Sequence, residues 1–278
     1  MHLSLLKGIS LLAFSVVGLA TATPSMNTQT TPQAQVNRAE WYGVPSPLAV
    51  TDPELATIID NFALDDVQQI GKLDRKTRIL ITLATTIAQN TPTEFANLFR
   101  AGLHNKISPE ELREVIYHAV PYVGIARVSD LLSIAIKIME EQGISLPLDA
   151  KDTVDRTTRF EQGLALQKSI FGEMITKMHE TAPANQKHIQ TFLSANCFGD
   201  YQTRSVFDPA MRELLTFSML ISLGGCEPQV KGHIMGNVSV GNGKDILIAA
   251  TTQLLPWLGY PRTLNALACI NEVIPEKN

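Results

Sequence analysis

The sequence predicts an all-α protein assembled from two tandem copies of one helical unit. Three observations predict it. From Asp52 onward apolar residues recur at helical spacing, and the β-branched alternation that a strand needs is scarce. Helix starts reuse one device: Asp52-Pro53-Glu54 and Asp208-Pro209 each place an N-cap before a proline at the first helical position. Ser108-Pro109-Glu110-Glu111 adds a capping box, with Ser followed three residues later by Glu. Third, the chain repeats. Val120-Pro121-Tyr122-Val123-Gly124-Ile125-Ala126-Arg127 lies against Leu255-Pro256-Trp257-Leu258-Gly259-Tyr260-Pro261-Arg262, an offset of 135 residues. Pro, Gly and Arg coincide, and an aromatic meets an aromatic.

The elements follow in order. Lys7 precedes an almost wholly apolar run from Ile9 to Ala20, and Ala20-Thr21-Ala22 then gives a small-x-small cleavage pattern. This reads as a Sec-type signal peptide over residues 1–22, cleaved after Ala22, which places the mature protein in the periplasm or outside the cell. The run is shorter than the roughly 20 residues of a spanning helix. An uncleaved N-terminal anchor is the alternative. No later segment could cross a membrane without burying charge. Residues 23–46, rich in Thr, Pro, Gln and Asn, read as a flexible tether. Helices are expected near 53–69, 75–89, 92–103, 109–119, 125–142, 155–178, 184–196, 209–223, 227–238, 244–255 and 260–272. The first unit spans 47–150, with its repeated part at about 72–142. A helical connector covers 151–206. The second unit covers 207–278, repeated at about 207–274.

Composition narrows the function. The 278 residues are 45% apolar, enough to bury one large core or two smaller ones. Formal charge is −4 with both signs dispersed, and aromatic content is 6%. Neither a phosphate-binding face nor a base-stacking platform is expected, so nucleic acid is excluded as a partner. Cys197, Cys226 and Cys269 are too few, and odd in number, for a disulfide scaffold. At least one thiol is unpaired.

The second unit concentrates the chemistry. Met211-Arg212-Glu213-Leu214-Leu215 opens a long apolar helix. Gly225-Cys226-Glu227-Pro228-Gln229-Val230-Lys231-Gly232-His233 follows, then a Gly-Asn-Gly loop, a helix, and Leu258-Gly259-Tyr260-Pro261-Arg262. This order resembles the carboxymuconolactone decarboxylase family, which includes the alkylhydroperoxidase D proteins. The resemblance covers both units and is stronger in the second. It implies two tandem alkylhydroperoxidase D-like helical units, assembly as trimers or hexamers, a pocket between helices that takes a small molecule, and no metal or organic cofactor. Activities known in the family are decarboxylation of a muconolactone and thiol-dependent peroxide reduction. In the peroxidase branch a Cys-x-x-Cys precedes the His. Cys226 and His233 keep the spacing of the first Cys to that His, but Gln229 stands at the second Cys position. The aligned stretch of unit one, Thr93 to Phe99, has neither Cys nor His, so unit one is read as a structural partner that completes the interface.

Each candidate residue has a chemical and a structural reading. His233 could exchange a proton with a substrate near neutral pH, or be a satisfied core histidine. Glu213 could orient His233 and raise its basicity, or form a surface ion pair with Arg212. Cys226, at a helix start, sits where the macrodipole favours thiolate, or is a tolerated neighbour of the cap. Gln229, four residues before His233, shares its helix face. Arg262, with Tyr260, could grip a carboxylate in bidentate fashion, although its repeat counterpart Arg127 suggests that both merely staple a turn. Three functions follow: cofactor-free proton transfer and decarboxylation of a small carboxylate-bearing lactone or enol, thiol peroxidase chemistry at Cys226, or non-catalytic binding by an oligomer. The first leads.

Overall fold

The computed structural model describes residues 29–276; the expected signal peptide and the first part of the expected tether lie outside the described residues. Thirteen α-helices carry this part of the chain, with no strand among the described residues. They are α1 (Pro32–Tyr42), α2 (Pro53–Asn61), α3 (Arg75–Gln89), α4 (Pro92–His104), α5 (Pro109–Val123), α6 (Ile125–Glu141), α7 (Arg159–Phe171), α8 (Met174–Thr181), α9 (Lys187–Phe192), α10 (Pro209–Leu223), α11 (Glu227–Ser239), α12 (Lys244–Leu258) and α13 (Tyr260–Val273). Wide π-helical turns continue α2 over Phe62–Asp66 and α9 over Leu193–Gln202. No helix among the described residues is long and apolar enough to cross a membrane.

The expected caps form. Asp52 and Asp208 accept the backbone N–H groups of Leu55 and Met211, and Asp74, which the sequence reading did not single out, accepts that of Thr77. Ser108 and Glu111 close the capping box in both directions. The repeat is carried by α3–α6 and α10–α13, which correspond at the 135-residue offset. Each repeat holds a proline in the last turn of its third helix, Pro121 and Pro256, and ends that helix at Gly124 or Gly259. The proline only removes one N–H from a turn that the next glycine terminates, so both helices run a turn beyond their expected ends.

Helices α3 and α10 form the centre. Arg78 to Ala88 and Arg212 to Ser222 are buried without interruption, as expected of helices packed on every side. They pack on each other through small polar residues, with Ser222 donating to Thr85 at 3.1 Å. Helix α12 of the second unit packs on α3, and α5 of the first on α10, so one apolar core runs through both units.

Two expectations need correction. Residues 32–42 are helix rather than tether. Thr31 caps it by accepting the Ala34 N–H, Pro32 opens it, and Gly43 ends it in the left-handed region. Trp41 and Ala34 bury their side chains, Arg38 pairs with Asp60, and Asn37 donates to the Leu64 carbonyl. One tryptophan anchors a segment whose polar composition suggested none. The connector does not hold the two long helices expected over 155–178 and 184–196. Gly172 separates α7 from α8, and the second stretch is the short α9 continued by the π-helical turn.

Candidate active site

Glu213 and His233 meet. Glu213 lies one turn into α10, and His233 two turns into α11, which packs alongside. His233 Nδ1 stands 2.8 Å from Glu213 Oε2. The Glu213 side chain is fully buried, whereas the His233 side chain keeps 17% of its surface open. Asn237, one turn beyond His233, donates to the backbone carbonyls of both residues and ties the helices together. Gly236 makes room: a Cβ there would lie 2.5 Å from Glu213 Oε2 and 2.7 Å from the Phe171 ring. The other Glu213 oxygen, Oε1, is buried without a hydrogen-bond partner. Such an oxygen is costly to bury, and the paired oxygen Oε2 accepts the His233 Nδ1–H. With that proton held, Nε2 is the nitrogen left for chemistry.

Aromatic rings wall the imidazole. Phe171 of α7 stands edge-on at 5.5 Å and Tyr122 of α5 at 5.8 Å. The Tyr122 hydroxyl accepts from Gln202 Nε2 at 2.6 Å and lies 3.9 Å from the Cys197 thiol. Burial, with Cys197 and Glu213 nearby, pushes the Tyr122 hydroxyl well above the ordinary phenol range, and burial pushes Cys197 up to about 12. Both therefore stay protonated and neutral. Behind Tyr122, His118 Nδ1 faces the Arg212 guanidinium at 3.3 Å and Nε2 faces Thr216 Oγ1 at 2.9 Å. A guanidinium can only donate, so His118 carries its proton on Nε2. Burial and the Arg212 charge hold its pKa well below the ordinary value. Arg212 donates to Glu114, as does Arg204, at 2.8 and 2.9 Å. The surface pairing of Arg212 with Glu213 is thus replaced by a buried one with Glu114 across the unit boundary.

The remaining candidates lie elsewhere. Cys226 precedes α11 and turns its thiol to the Leu220 carbonyl at 3.2 Å. It shares a crevice of about 20 Å³ with Arg262, Asn265 and Cys269, room for no more than a water. Burial, then the charge of Glu227, then Cys269 raise its pKa. The macrodipole expectation of a thiolate is corrected: a half-buried, donating thiol beside a carboxylate stays protonated. All three cysteines are free. Arg262 is in that crevice and not among the groups around His233, while Arg127 donates to the Ala88 carbonyl, as the staple reading expects of Arg127. Gln229 and Tyr260 are exposed.

Tyr122, Phe171, Cys197 and Gln202 are site neighbours that the sequence reading did not assign. Tyr122 had a visible signal, since it matches Trp257 in the repeat. Unit one therefore supplies a side chain to the site besides shape. In unit one the positions of His233 and Glu213 hold buried Leu98 and Arg78. Arg78 donates to Gln253 and to the carbonyls of Leu73, Ile70 and Gly71, closing the loop before α3.

Comparison with known proteins adds three findings. The model of the carboxymuconolactone decarboxylase family matches residues 53–137 and 188–272, two spans at the same offset as the repeat. The second span opens with α9, inside the expected connector. The 4-carboxymuconolactone decarboxylase of Acinetobacter baylyi is 28% identical over 92 residues, which are 33% of this chain and 69% of that protein. Nitrosuccinic acid decarboxylase npaB of Metarhizium robertsii is 30% identical over 84 residues, 30% of this chain and 59% of that protein. A crystal structure described as a gamma-carboxymuconolactone decarboxylase subunit of Burkholderia xenovorans superposes with a TM-score of 0.52 at 19% identity, covering 86% of this chain and 96% of that one. At that identity it shows the shared fold.

Proposed function

The chain belongs to the carboxymuconolactone decarboxylase family, and from that premise we propose that it is a carboxy-lyase whose proton-transfer residue is His233, oriented by Glu213. The observation that carries this reading is the 2.8 Å contact between a fully buried carboxylate and a partly open imidazole, walled by Tyr122 and Phe171. The substrate class is a small carboxylate-bearing lactone or enol. Both of the relatives described above are named as decarboxylases, which supports the reaction class.

The chemistry balances without a cofactor. The bond from carbon to the departing carboxylate breaks, and its electron pair passes into the adjoining enol or lactone π system. The protonated Nε2 of His233 gives its proton to carbon, and the neutral imidazole takes another from solvent. Glu213 stabilises the imidazolium and fixes the ring so that Nε2 faces the substrate. The aromatic walls keep water from the carbanionic carbon. Arg262 has no part in this scheme. Export, with removal of residues 1–22, and assembly as a trimer or hexamer complete the proposal. Exposed apolar Ile125, Ile136 and Leu264 are surfaces that assembly would cover.

The test is turnover of a panel of lactone and enol acids, read as CO2 released. His233→Ala lowers the rate at least about 100-fold, the usual worth of a positioned acid. Glu213→Gln lowers kcat more than it changes KM. Unchanged turnover in His233→Ala would falsify the assignment.

A further inference from the structure

A sizeable cavity lies away from His233. It measures about 1140 Å³ and opens between α2, the segment 43–48, α4 and the α12–α13 junction. Ile58, Ile59 and Phe62 line it from unit one, and Leu255, Trp257 and Tyr260 from unit two. None of the residues around the Glu213–His233 pair takes part. At the repeat offset it is unit one's version of the space beside that pair: Phe62 stands for Cys197, Asn97 for Gly232, and Trp257 for Tyr122. Helix α7 packs on its π-helical turn and on α11, and α1 packs likewise on residues 62–66 and α4. In unit two α7 ends with Phe171 against both His233 and Phe198, filling the space. In unit one α1 ends at Tyr42, and Gly43-Val44-Pro45-Ser46-Pro47 carries the chain along the rim, which leaves the space open.

The walls state what would fit. Most of the lining is apolar or aromatic, and Ile58, Ile59 and Val44 stay 41–60% exposed although they are large. Leaving such side chains in water across a concave wall is unfavourable by their buried-area worth until something covers them. The two guanidinium groups at the wall are already matched, Arg38 by Asp60 and Arg100 by Glu141. The two carboxylates at the wall, Asp66 and Glu94, are exposed and paired with no cation among the described residues. An anion entering here would meet like charge and no free positive partner. Asn97 and Thr93 can supply hydrogen bonds to an uncharged group.

We propose that this cavity is a binding site for an uncharged, mainly apolar small molecule. It is separate from the proposed reaction site, and the proposal stands whether or not His233 is catalytic. Two probes that share one ring system test it. N-phenyl-1-naphthylamine is uncharged; 8-anilinonaphthalene-1-sulfonate adds an anion. Both are titrated into the full chain, read by probe emission and by energy transfer from Trp257. The uncharged probe saturates one site and binds at least tenfold more tightly than the sulfonate. Ile59→Asp and Val44→Asp, both at exposed positions and checked for native helix content by circular dichroism, each weaken it at least tenfold. His233→Ala binds it as the parent does. Failure of the uncharged probe to bind, equal binding of the sulfonate, or undiminished binding by both aspartate variants overturns the proposal.

Discussion

At the scale of single residues, the buried neutral His118 makes the clearest prediction. Its pKa lies well below the ordinary 6.5 because burial and Arg212 both disfavour the imidazolium. On unfolding the ring recovers its ordinary affinity for protons. Between those two values the unfolded chain binds the extra proton, so stability is complete above about 6.5 and falls as pH drops below it, by up to ~1.4 kcal/mol per pH unit. His118→Gln, which copies the counterpart Gln253, can still accept from Arg212 and donate to Thr216. Urea unfolding of that variant should show a flatter dependence between pH 7 and 5; an unchanged slope would mean that other groups govern acid sensitivity. The meeting of Glu213 and His233 was legible because both sit on consecutive helices of a repeated unit, at a family spacing. Gln202 was not, since it reaches the site from the π-helical turn and nothing local in sequence marks a convergence of that kind, and Tyr122 was marked only by its match to Trp257 in the repeat. Cys226 was placed in the right helix turn, but its thiol direction is set by the cap conformation and by the Leu220 carbonyl, which also accepts the Gly224 N–H, and spacing does not reveal this.

At the scale of elements, the join between α7 and the π-helical turn is the tightest. A Cβ on Gly163 would lie 2.0 Å from the Ser194 carbonyl oxygen, and one on Gly199 would lie 2.2 Å from that of Arg159. Backbone cannot yield as a side chain does, so the two segments must separate to admit either methyl group. Gly199→Ala is expected to cost about 3 kcal/mol, at the upper end for overpacking, and to slow the proposed decarboxylation because Phe171, Cys197 and Gln202 ride on these segments. A loss below ~0.5 kcal/mol in denaturant titration would show that the contact is soft. Helices with caps and a plain 3.6-residue period were legible from the sequence. The π-helical turns were not, because one extra residue per turn leaves the apolar pattern nearly intact over so short a stretch. Helix α1 was missed because burial of one large ring outweighs a polar composition, although Thr31-Pro32 and Gly43 carried start and stop signals.

At the scale of the whole molecule, the continuous core predicts one unfolding event. Trp41, on α1, packs against the first unit and Trp257 lies in the second, so Trp257→Phe and Trp41→Phe leave one reporter for each half. Both reporters and the helix signal should lose structure at the same denaturant concentration. Separate midpoints would show that the halves fold alone. The duplicated architecture was legible from the Pro-Gly-Arg coincidence, while the depth of the sharing between halves was not, since periodicity shows that a face is apolar without saying which partner covers it. That sharing has an evolutionary consequence. Were two separate identical chains to pair in this way, any mutation would strike both copies at once, and losing the imidazole from one would lose it from the other. Joining the copies in a single gene breaks that bond of identity. Leucine at 98 can then coexist with histidine at 233, and each half is free to drift without dragging its sibling along.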